Sequence, residues 1–84
     1  MPNSGNIHIS NSTLSRLIKE LDSECKNVTD LIDKLKLPRL SDKRQAEILA
    51  ELLSATIHLH VHCGEDFQKL IIKEMEKLPD DDEQ

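Results

Sequence analysis

Three of the chain's four histidines, one of its two cysteines and its only phenylalanine fall between residues 55 and 67, in the run ATIHLHVHCGEDF. In an extended strand His58, His60 and His62 alternate with Ile57, Leu59 and Val61, so three imidazoles share one face and offer a metal site. In a helix, steps of about 100° per residue keep only His58 and His62 together, one turn apart, and send His60 to the far side. His58, His62 and Glu51 are then the candidate ligands for zinc or nickel, since one helical turn brings two imidazoles to chelating distance beside a carboxylate. The set lacks the Glu of a His-Glu-x-x-His metalloprotease helix. No phosphate-binding Gly-rich loop or nucleophile elbow accompanies it, and Cys63 is a sequence neighbour of His62 rather than a partner on the same face. No catalytic residues are assigned, and no cofactor is expected on this reading.

Which element carries these histidines is decided by their surroundings. The preceding residues, AEILAELLSA, are strong helix formers with no turn signal before Ile57, and the strand-like alternation is confined to residues 57 to 61. A helix over residues 42 to 63 follows, opened by Ser41 with Asp42 in its first turn. On a wheel with Leu49 at the origin, Leu52, Leu53, Thr56, Leu59 and Cys63 form an apolar seam with His60 in its middle. Ala46, Ala50, Ile57 and Val61 widen that seam to an arc of roughly 200°, as expected of a helix contacted from several sides. His60 is read as a core or interface histidine, while His58 and His62 are placed on the polar side with Glu47 and Glu51.

The rest of the chain supplies three more helical segments. Leu14, Leu17, Ile18, Leu21 and Cys25 define an amphipathic helix over 12 to 26. Asn27, with Asp30 three residues on, reads as the cap of a short second helix over 28 to 37, stopped by Pro38. Gly64 is placed as a left-handed cap, and a last helix over 65 to 78 presents Phe67, Leu70, Ile71, Met75 and Leu78 on one face, with Glu74 out of place among them. The expected fold is therefore all-α, a small four-helix bundle-like domain covering residues 11 to 79. Residues 1 to 10 form a flexible arm or one short strand around Ile7 and Ile9, and the run PDDDEQ ends in an acidic disordered tail over 80 to 84.

Composition narrows the function classes. The 84 residues make a core near the lower limit of independent stability, so self-association or a partner is expected. Of the net charge of −5, residues 1 to 40 contribute about +1 and residues 41 to 84 contribute −6, so the C-terminal half repels phosphate and suits a basic protein. A single aromatic leaves little surface for stacking bases. No basic start precedes a long apolar segment, which points to an intracellular chain with neither signal peptide nor membrane span. Cys25 and Cys63 are then expected to be reduced and buried. The Asn-x-Thr patterns at Asn11 and Asn27 read as helix caps.

Two stretches resemble known families. HCGEDFQKLIIKEMEKLP, residues 62 to 79, is similar to the last turn-and-helix segment of all-α nucleoside triphosphate pyrophosphohydrolases of the MazG type. The resemblance implies magnesium held by carboxylates on paired helices and hydrolysis of a nucleotide. That family uses Glu-x-x-Glu and Glu-x-x-Asp pairs, whereas the pairs here, Glu20 with Glu24 and Glu47 with Glu51, are spaced by four. NIHISNSTLSRLIKELDSECKNVTDLIDKL, residues 6 to 35, resembles in outline the ribbon-helix-helix repressors and antitoxins. That resemblance implies a dimeric strand in the major groove, with Asn6, His8 and Ser10 facing DNA, although no Arg or Lys stands among them and the usual Gly between the helices is absent. The leading expectation is a helical protein–protein interaction module that self-associates as a homodimer and has no catalysis of its own. Its interaction surface is placed on Leu52, Leu59, His60, Cys63, Phe67, Ile71 and Met75, with no role for membrane or nucleic acid.

Overall fold

The structure, a computed structural model, describes residues 7–79. It is all-helical, with α1 over Ser12–Leu35, α2 over Asp42–His62 and α3 over Glu65–Lys77. The histidine run is helical, as the helix-forming residues before it require. Residues 7–10 form no strand, and Asn6 and the acidic run 80–84 lie outside the described residues.

Among the described residues there are three helices rather than four, because the first two expected helices are one. Asn27 sits exposed inside α1 and caps nothing. The reason lies in the seam. Leu14, Leu17, Leu21, Glu24, Val28, Leu31 and Leu35 repeat at alternating steps of three and four without a break, and all are buried or half-buried. Stopping the helix at Asn27 would throw Val28 and Leu31 off that line, and the few tenths of a kcal/mol by which Asn disfavours a helix interior are small beside the burial of two aliphatic side chains. The outer face is held by surface pairs such as Lys26 with Asp22 at 3.3 Å and Lys34 with Asp30 at 3.8 Å. Asn11 is the true cap, its Oδ1 accepting from the Leu14 N–H at 2.9 Å.

The chain reverses through residues 36–41 around Pro38, and Ser41 opens α2 by accepting from the Arg44 N–H at 3.0 Å. Helix α2 turns Ile48, Leu52, Ala55, Leu59 and His62 towards α1, again at steps of four and three. Leu31, Ile48 and Ala55 form the centre of the core, flanked by Val28, Leu35, Leu40 and Leu52. The two helices make an antiparallel hairpin on these matched stripes, the geometry of left-handed helical pairs.

Helix α3 then folds back against the N-terminal part of α1, which it touches more sparsely than α2 does. Gly64 is not a left-handed cap: at φ −75° and ψ −169° it is extended and serves as the N-cap of α3. Its value is the close approach it permits, since a Cβ there would lie 3.2 Å from the Val61 carbonyl oxygen. Phe67 anchors the helix in the core. Glu74, the residue out of place on its apolar face, is half-buried because Ser10 Oγ donates to its Oε2 at 3.1 Å and Lys77 Nζ lies 3.4 Å from its Oε1. The assembly is elongated, with a radius of gyration of 17.6 Å against about 12 Å for a compact chain of this length.

Candidate functional site

The histidines are sorted by the α1–α2 contact, and not as their sequence neighbours suggest. His62 is the inward one, its side chain 8% exposed, while His58 and His60 face outward. The apolar arc of α2 is so wide that its middle, where His60 lies, is not the part that meets α1. The stripe Ile48, Leu52, Ala55, Leu59 does so instead, and one further turn along it is His62.

His62 closes the corner where the three helices meet. Its Nε2 is 2.8 Å from the Leu17 carbonyl oxygen on α1, and because a carbonyl can only accept, Nε2 carries the proton. Its Nδ1 lies 3.6 Å from Glu24 Oε1, a buried oxygen with no hydrogen bond, so a second proton on the ring converts that approach into an ion pair. The Phe67 ring stands nearly edge-on to the imidazole, centroids 5.0 Å apart and planes at 68°. One ring thus ties α2 to α1 by a hydrogen bond and to α3 by aromatic contact. Beside it opens a shallow cavity of about 410 Å³ lined by Leu17, Val61, His62, Gly64, Glu65, Asp66 and Phe67.

The expected metal set is not brought together. His62 turns inward onto Leu17 and Glu24, whereas His58 and Glu51 point to solvent. Among the described residues no group of three or more His, Cys, Asp or Glu side chains is arranged to hold a metal ion. The paired carboxylates are also apart: Glu24 sits opposite His62, and Glu51 is eleven residues back along α2, about 16 Å away along the axis. Glu20 and Glu47 are engaged by Arg16 at 3.1 Å and Arg44 at 3.2 Å. Of the residues placed on DNA, His8 and Ser10 are exposed, Ser10 being bonded to Glu74, and Asn6 lies outside the described residues.

The expected interaction surface is divided. Leu52, Leu59 and Phe67 are turned into the core, and His60, Cys63, Ile71 and Met75 are exposed. Both cysteines are free and exposed, not buried, because Cys25 falls beside the α1 seam rather than on it and Cys63 lies just past the end of α2. What the sequence reading did not single out is the outer face of α2. Leu49, Leu53, Ile57 and Val61 recur every four residues, and Leu53 and Val61 are 62% and 72% exposed. Their presence in the wide arc was visible in the sequence, but nothing in the spacing says which half of that arc α1 takes. Among the described residues no helix is long and apolar enough to cross a membrane. No protein-family model, curated protein or solved structure matches the chain.

Proposed function

We propose that the protein is a helical protein–protein interaction module without catalysis of its own, and that it meets its partner on the outer face of α2. The observation that supports this reading is the stripe Leu49, Leu53, Ile57 and Val61, which stays uncovered although each residue is a large aliphatic side chain. Single exposed leucines are ordinary on protein surfaces; four in one line over about 18 Å of helix are a patch, and patches mark contact sites. The His62 corner serves this role indirectly by tying the end of α2 to Leu17 on α1 and to Phe67 on α3, which fixes the helix that carries the stripe.

A photo-crosslinking side chain at position 53, read in the native cell by mass spectrometry, tests the proposal. A discrete adduct is expected from position 53 and none from position 19 on the polar side of α1, and Ile57→Lys should remove the adduct. Equal, diffuse labelling from both positions would sink the reading.

A further inference from the structure

The outer stripe of α2 has features that identify what covers it. We propose that a second copy of this chain docks there, α2 against α2 in antiparallel orientation; this rests on the interaction reading above and names its partner.

The first argument is area. The chain exposes 6555 Å², whereas a compact monomer of its mass exposes about 5,100 Å². The excess, roughly 1,400 Å², is of the size that each partner buries in a stable homodimer, about 1,000 Å² or more. That excess is spread over an elongated molecule, and the stripe on α2, with Leu53 and Val61 its most exposed points, is a continuous apolar part of it.

The second argument is charge. Asp42, Lys43, Arg44, Glu47 and Glu51 all lie in the first half of α2, and from Leu52 to His62 the only titratable side chains are His58, His60 and His62. A parallel pair would set Glu47 and Lys43 beside their own copies. An antiparallel pair lays the charged half of one helix along the histidine-bearing half of the other and brings the positive end of each helix dipole to the negative end of its neighbour.

The third argument is shape. On the outer face Ala46, Leu49 and Ala50 occupy the first half, and Leu53, Ile57 and Val61 the second, so large side chains are concentrated towards the C-terminal end. An antiparallel arrangement about a point between residues 51 and 52 sets Ala50 near Leu53 and Ala46 near Ile57 of the other copy, with Leu49 near Ser54, so small residues face large ones over the middle of the helix. A second copy supplies this complementarity by symmetry.

Sedimentation velocity of the full chain from low to high micromolar concentration should show a dimer. Leu53→Glu should return it to monomer with an unchanged far-ultraviolet circular dichroism spectrum, because Leu53 is 62% exposed within the chain. Since each chain carries a net charge of −5, added salt should strengthen the association rather than weaken it. Orientation is read with single cysteines in a Cys25→Ser, Cys63→Ser background under mild oxidation. Ala50→Cys, close to the symmetry axis, should link two chains, whereas Val61→Cys should not, its copies lying roughly 28 Å apart along the helix. Equal linking from both positions would show a parallel pair and overturn the proposed geometry. A chain that stays monomeric at every concentration overturns the second copy as partner; if position 53 still forms its adduct in the cell, the interaction reading survives, and if it does not, both fall.

Discussion

At the scale of single residues, the contrast among the three neighbouring histidines is the sharpest consequence of the structure. His62 bonds the Leu17 carbonyl, faces Glu24 and abuts Phe67, whereas His58 and His60 are exposed. Truncating it removes a part-buried hydrogen bond and an aromatic contact, each worth about 1 kcal/mol, and leaves a cavity. His62→Ala should therefore cost about 2–3 kcal/mol in urea unfolding, and His58→Ala and His60→Ala about 0.5 kcal/mol or less. A second such test is Gly64. An alanine Cβ would press on the Val61 carbonyl oxygen at 3.2 Å, tighter than ordinary van der Waals contact, so Gly64→Ala should lower stability by about 1 kcal/mol although its backbone angles are open to any residue.

At the scale of elements, the unbroken α1 makes Asn27 the decisive position. An N-cap replaced by alanine costs about 1 kcal/mol, but an exposed asparagine inside a helix is improved by the same change, by a few tenths of a kcal/mol. Asn27→Ala should stabilise the protein slightly in thermal unfolding, and Asn11→Ala and Ser41→Ala, which remove real caps, should each destabilise it by about 1 kcal/mol. A loss on Asn27→Ala would mean that the chain does break there. The same residues show what could be read from the sequence. The all-helical class, the caps at Asn11 and Ser41 and the stop at Pro38 follow from local chemistry, which the sequence states directly. The joining of two helices at Asn27 does not, because a favourable cap residue and an uninterrupted seam compete there and only the packing of Val28 and Leu31 decides between them. The inward turn of His62 is hidden for a related reason: α2 is apolar around more than half its circumference, so periodicity locates a helix and leaves its rotation to α1.

At the scale of the whole molecule, the structure divides into a tightly matched hairpin and a loosely held third helix. The α1–α2 contact runs from Leu35 and Ile48 at one end to Leu17 and His62 at the other, whereas α3 touches α1 sparsely and leaves Ile72, Met75 and Leu78 exposed. Its hold rests on Phe67, the one core residue it contributes, and on the Ser10–Glu74 hydrogen bond near its far end. Local opening free energy follows buried apolar contact, so the amides of α3 should exchange with solvent deuterium well before those of residues 28–35 and 48–59. Removing the anchor sharpens the contrast. Burial of a phenylalanine contributes about 1.5–3 kcal/mol, which is comparable with everything that holds a helix of this length, too short to persist alone in water. Phe67→Ala should therefore abolish protection across residues 65–77 while the hairpin amides keep most of theirs, as read by peptide-resolved hydrogen exchange. Uniform loss of protection along the entire chain would show instead that α3 is part of one cooperative unit with the hairpin, and that the His62–Phe67 contact couples all three helices more strongly than their packing area implies.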